Sequence, residues 1–368
     1  MTNFIPISKP SITELEIQYV TDAVTSTWVS SLGPYIDRFE SEFAAFCGTE
    51  HAIAVSNGTV AIHLVAHALG LKPGDEVIMP NLSFIATANA VILTGAKPVF
   101  VDIDMENLCI NPQQIEAAIM PNTKAIMPVH LYGHPADMIA INAIAKKHNL
   151  WVIEDAAEAH GAAIGDKKVG SWGTCATFSF YGNKNLTTGE GGMITTNDAN
   201  LAAKCRYLRD HAMSKEKRYW HTEMGFNYRM TNIQAALGCA QLERMPELMH
   251  KRALVFNKYQ SLLSDENRIK LNRTCQWATN SYWLVCAEIE GITEKQRDQI
   301  MLDLKSRNID SRPYFYPMAD MPYINETPYT PNCNAVHKIG INLPSYIDLT
   351  EEEITYISKN LTDIIATY

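Results

Sequence analysis

Apolar residues fall in short bursts separated by stretches of helical spacing, most regularly between about 50 and 200. Ala52-Ile53-Ala54-Val55 is one burst and stops at the polar turn Ser56-Asn57-Gly58-Thr59. Val60 to Leu69 then reads as a helix. Glu76 to Pro80, Pro98 to Asp102, Ala125 to Val129 and Leu150 to Ile153 read as further strands, with Asp137 to His148 a helix between the last two. Strands separated by helices predict an α/β fold with a mostly parallel sheet covered on both faces. Ligands on such sheets bind beyond the strand ends, where Ser56-Asn57-Gly58-Thr59 and Asp155 are expected. Further on, Asn232 to Arg252 reads as one long helix, Asn272 to Glu290 is rich in β-formers, and Glu294 to Arg307 is again helical. This predicts a large domain over 1–248, with an N-terminal segment packed across it or across subunits. A smaller α+β domain is expected over 249–368.

Composition narrows the function. The chain has 368 residues, 46% hydrophobic and 19% charged, as expected of a globular protein with a large core. Its formal net charge of -9 argues against nucleic-acid binding and requires a local cationic pocket for any anionic substrate. No apolar run is long enough for a membrane span. Residues 1–6 lack a basic stretch followed by an apolar core, so no secretory signal is expected. The eight cysteines are scattered without a C-x-x-C pair, which fits reduced thiols in the cytoplasm better than disulfides or a metal site.

Two segments carry the chemistry. Phe178-Ser179-Phe180-Tyr181-Gly182-Asn183-Lys184 runs from an apolar burst through a serine to a lysine, and a glycine-rich turn follows at Gly189 to Gly192. Val152-Ile153-Glu154-Asp155 ends a predicted buried strand on an aspartate. A lysine for an aldehyde and a carboxylate for a ring nitrogen are the two groups that pyridoxal phosphate (PLP) chemistry requires. Lys184 would bond to the aldehyde and, once free, move protons as base and acid. Asp155 would keep the pyridine ring cationic; its alternative is a helix N-cap. Glu158 would accept a hydrogen bond near the cofactor's phenolic oxygen or complete a capping box. Gly58 and Thr59, at a helix start, suit a phosphate. Phe84 would stack on the ring or belong to the core. Lys215, Arg218 and His221 lie in the best local cationic cluster, interleaved with aromatics, and would hold a diphosphate or form a solvated loop. No metal-ligand spacing is found, and Gly189-Glu190-Gly191-Gly192 lacks the dinucleotide fingerprint.

These motifs resemble the DegT/DnrJ/EryC1/StrS family of sugar-nucleotide aminotransferases along nearly the whole chain. The resembling segments are Trp28 to Pro34, Ser56 to Ala61, Asp155 to Gly161, Phe178 to Gly192 and Gly225 to Met230. The resemblance implies a PLP-dependent transferase of fold type I, the aspartate aminotransferase-like fold, working as a homodimer with an active site shared between subunits. It implies that Ser179 binds the phosphate of its own cofactor and Asn227 that of the neighbouring subunit. Trp28, Lys215, Arg218, His221, Arg229 and Tyr316 would contact substrate, with Arg229 or a nearby cation receiving a carboxylate of L-glutamate. The acceptor would be a nucleotide-linked 4-keto-6-deoxy sugar used in surface polysaccharide. GDP-4-keto-6-deoxy-D-mannose leads, with a dTDP- or UDP-linked 4-keto or 3-keto sugar as one alternative and a PLP-binding regulatory protein without turnover as an alternative of another class. Members that dehydrate carry histidine where this chain has Lys184.

Overall fold

The computed structural model describes residues 3–324 and 326–368; Met1 and Thr2, part of the stretch examined for a signal, lie outside the described residues. Seven apolar strands make the larger sheet: β1 (His51–Val55), β2 (Glu76–Pro80), β3 (Lys97–Val101), β4 (Thr123–Ile126), β5 (Trp151–Asp155), β6 (Cys175–Ser179) and β7 (Gly192–Thr196). Their spatial order is β1-β7-β6-β5-β4-β2-β3. Only β7 opposes its neighbours; the other pairings are parallel. Alternate residues feed cores on opposite faces. Val77 and Met79 face one cluster with Leu64 and Ile153, while Ile78 faces another with Ile126, Val152 and Ile141. This is why the strands read as continuous apolar runs rather than as alternating ones.

A smaller antiparallel sheet lies further along the chain. It is built from β8 (Ile269–Leu271), β9 (Val285–Ile289), β10 (Arg312–Pro313) and β11 (Gly340–Leu343), in the order β8-β9-β11-β10. Its core joins Val285, Ile289, Ile341 and Leu343 to Tyr259, Ile300 and Ile357 of the helices that cover it.

Two expectations need correction. The helix expected over 232–252 is two helices, Asn232–Glu243 and Met245–Leu263, with Arg244 between them at φ -87 and ψ 0. Pro246 explains the break. It has no N–H for the helix ladder, its ring would clash with the carbonyl one turn back, and it is tolerated only in a first turn. The strand expected over 125–129 spans 123–126 instead; Pro128 interrupts it, and Val129 resumes parallel pairing with Asp155 as an isolated bridge. Among the described residues no helix is long and apolar enough to cross a membrane.

A buried carboxylate is among the groups that tie down the N-terminal segment. Helix Glu14–Thr25 begins with a capping box in which Thr13 N–H and Oγ1 donate to Glu16 Oε2. Glu16 Oε1 accepts from Gln241 Nε2 and Arg244 Nη1, both at 2.7 Å, across from the Asn232–Glu243 helix. Burial pushes this carboxyl up, but the bonds from Thr13, Arg244 and Gln241 outweigh it and hold the group below its ordinary value.

Candidate active site

The C-terminal ends of β1, β5 and β6 open on one cavity of about 890 Å³. The chain leaves β1 at Val55 and enters helix Gly58–Ala68 two residues later. Asn57 Oδ1 caps that helix by accepting from Val60 N–H at 3.0 Å. Gly58 and Thr59 thus present a first helical turn to the cavity, whose N–H groups lack carbonyl partners one turn earlier. Ser179, at the end of β6, faces them. A Cβ on Gly58 would lie 2.7 Å from Ser179 Cβ, so the helix start and the serine close a cradle that only glycine permits.

Asp155 ends β5 and is 5% exposed. Its Oδ2 accepts from Thr87 Oγ1 at 2.7 Å, and Thr87 is in turn bonded to Ser83 Oγ at 2.9 Å. Its Oδ1 accepts from Ala157 N–H two residues on, so the side chain caps a turn and not the helix that an N-cap reading would need. Burial pushes this carboxyl above its ordinary value, while the Thr87 and Ala157 bonds and the Lys184 charge pull it back. The preceding residue, Glu154, points to the opposite face of the sheet. It accepts from the N–H groups of Gly170, Trp172 and Gly173 at 2.7–2.9 Å and from His130 Nε2 at 3.0 Å. His130 Nδ1 accepts from Ala136 N–H, which assigns the proton to Nε2.

Lys184 reaches the same cavity, and its Nζ lies 3.9 Å from Glu158 Oε1. Glu158 Oε2 accepts from Tyr132 N–H at 2.8 Å, so Glu158 completes no capping box. Burial raises the Glu158 carboxyl and lowers the Lys184 amine; each resists through the charge of the other. Phe84 is 54% exposed and therefore not a core residue; it lines the cavity 5.8 Å from Phe315. Tyr316 and Arg312 line it too.

Six candidates lie away from the cavity of this chain. Trp28 is exposed on the surface. Asn227 accepts from Arg229, and Arg229 is ion-paired with Asp210, so that guanidinium is engaged outside the pocket. Lys215, Arg218 and His221 lie on an exposed segment where Lys217 covers the Trp220 ring, Arg218 covers Tyr219, and His221 Nδ1 bonds to the His211 carbonyl. Sequence reasoning gave no role to Tyr132, Trp283 or Thr87. Tyr132 and Trp283 sit in or beside apolar runs and read as ordinary core, and a lone threonine carries no pattern.

These residues fit PLP. The glycine-gated cradle of Gly58, Thr59 and Ser179 matches a phosphate. Asp155, buried at the cavity wall, gains most from a cationic ring nitrogen. Lys184 supplies a partly desolvated amine.

The model of the DegT/DnrJ/EryC1/StrS aminotransferase family matches residues 10–362. The GDP-perosamine synthase of Caulobacter vibrioides is 46% identical over 369 aligned residues, covering 98% of each chain. That of Escherichia coli O157:H7 is 42% identical, again over 98% of each. Among solved structures, a Streptococcus pneumoniae protein in its PMP form superposes with a TM-score of 0.94 at 27% identity, over 99% of this chain and 98% of that one.

Proposed function

Because the chain belongs to the DegT/DnrJ/EryC1/StrS aminotransferase family, we propose that it binds PLP in this cavity and moves the amino group of L-glutamate onto GDP-4-keto-6-deoxy-D-mannose, giving GDP-perosamine. The reading rests on one observation above the others: a largely covered lysine amine 3.9 Å from a buried carboxylate, in a cavity walled by a second buried carboxylate at a strand end. When bound, the cofactor withdraws electrons through its ring and stores the amino group between the two half-reactions. Ser179, Gly58 and Thr59 hold its phosphate. Asp155 stays ionised against the ring nitrogen. Lys184 takes the proton from the donor's α-carbon and returns it on the way to product. Glu158 fixes where that amine waits. Arg312 lines the cavity beside its partner Asp310, 2.9 Å away, and meets an anionic group of donor or sugar nucleotide in preference to Arg229.

On this reading the enzyme is a cytoplasmic homodimer serving surface-polysaccharide synthesis. Asn227, Trp28 and the 215–221 cluster, remote from their own cavity, face that of the neighbouring subunit. Residues 1–248 carry the cofactor and 249–368 form the smaller domain.

A half-reaction tests the proposal. The enzyme is converted to its amino form with glutamate, freed of amino acid, and offered GDP-, dTDP- and UDP-linked 4-keto sugars separately while cofactor absorption is followed. Recovery with the GDP sugar alone is expected. Recovery only with another nucleotide would keep the chemistry and replace the substrate. Failure to load from glutamate would overturn the donor assignment.

A further inference from the structure

Trp283 touches two consecutive residues of the lysine segment. Its indole face lies over Lys184 Nζ, 3.6 Å from nitrogen to ring centroid. Its Nε1–H donates to the carbonyl of Asn183 at 2.8 Å. The side chain is itself fixed. The residue is 4% exposed, its backbone carbonyl accepts from Arg252 Nη1 at 2.7 Å, and its ring stacks with Tyr132 at 6.3 Å and 23°. Tyr132 in turn donates its N–H to Glu158. The contacts close a ring: Lys184 to Trp283, Trp283 to Tyr132, Tyr132 to Glu158, and Glu158 back to Lys184.

We propose that Trp283 is a positioning residue for Lys184: its indole face and its N–H give the released lysine one resting place, beside Glu158 in the cavity. The need is physical. A lysine displaced by substrate hangs on a flexible four-carbon stem, and proton transfer requires its nitrogen at hydrogen-bond distance from one atom. The neutral amine takes the donor's α-proton and becomes an ammonium; the aromatic face attracts that ammonium without occupying its N–H groups, which stay free to return the proton. The other titratable groups around the nitrogen are Glu158, Asp155 and His160, with Arg252 behind the tryptophan.

The inference rests on the aminotransferase reading for its purpose, but the contact is tested without turnover. Lysines of the full-length, cofactor-free protein are reductively methylated with carbon-13 formaldehyde, and Lys184 is identified by the signal missing in Lys184→Arg. Because the indole favours the charged form, Trp283→Leu is expected to lower the Lys184 titration by roughly one pH unit, and Trp283→Phe to restore most of it. A Lys184 titration unchanged in Trp283→Leu would overturn the proposal, as would a Phe variant no better than Leu. If neither variant folds, the wild-type fold answers. The Trp283 resonance of 5-fluorotryptophan-labelled protein is expected to move in Lys184→Met, and a resonance that stays put rules the contact out. A protein that passes these tests yet never loads from glutamate would sink the aminotransferase reading alone.

Discussion

At Gly58 the chain has no room for a side chain, and the reason is a single neighbour. A Cβ there would lie 2.7 Å from Ser179 Cβ and 3.2 Å from Ser179 Cα, and backbone does not yield as a flexible side chain does. Gly58→Ala should therefore force the helix start away from the serine and open the phosphate cradle. Overpacking of this kind costs about 1–3 kcal/mol, which predicts a roughly tenfold to hundredfold loss of PLP affinity. A cofactor titration of the apoprotein measures it, and an unchanged affinity would show that the phosphate lies elsewhere. At this scale the sequence was legible where chemistry is rare. A lysine behind a serine and an aspartate ending an apolar run are uncommon enough to read. Thr87 and Tyr132 were not legible, because the first acts through a single hydroxyl and the second through its backbone N–H and its stacking.

Elements follow the period of their apolar residues where that period is uninterrupted. Helices 58–68 and 138–148 and strands β1, β2 and β3 lie within a residue or two of their expected bounds. The prolines decided the exceptions at 128 and 246. That the N-terminal segment packs on the rest was expected, but the partners of helix Glu14–Thr25 were not legible, since they depend on Glu16 meeting Arg244 and Gln241 from far along the chain. Removing one partner of a buried ion pair leaves the other uncompensated. Glu16→Ala should therefore destabilise the protein by roughly 3 kcal/mol, with Glu247 retaining part of Arg244's charge pairing. Urea unfolding of the variant reads this directly. A midpoint equal to that of wild type would mean the helix is held by its other contacts, among them Tyr19 to Glu243 and Gln241 to the Ser11 carbonyl.

The whole molecule carries an acid sensitivity that its net charge does not reveal. His134 is 2% exposed and uses both ring nitrogens: Nδ1–H donates to the Pro135 carbonyl at 2.7 Å, and Nε2 accepts from Cys275 N–H at 3.0 Å. A proton on Nε2 would face another N–H. Burial lowers this histidine to about 4, and lowers His160, packed between Phe178 and Phe180, to about 3. In each case the unfolded chain takes up its proton first, near the ordinary value of about 6.5. Stability is therefore complete above that value and falls as the pH drops toward 4. His134 alone should withdraw on the order of 3 kcal/mol across the window. Thermal unfolding against pH tests it: His134→Asn should begin less stable at pH 7 and show a flatter decline between 6.5 and 4. A parallel pair of curves would assign the acid sensitivity to other groups.

Glu154 and Asp155 stand side by side on β5, one locked into three amides and an imidazole behind the sheet, the other aimed into the cavity. Side chains alternate faces along a strand, so a slip of one residue would turn each carboxylate to the opposite face. Such a slip would strip Glu154 of its three amides and its imidazole, leaving a buried carboxylate without compensation. The strand consequently proofreads its own insertion. A misthreaded β5 fails to fold instead of yielding a well-folded enzyme with the wrong acid at its centre, and a cell making this protein is spared a population of soluble, inactive copies competing for cofactor.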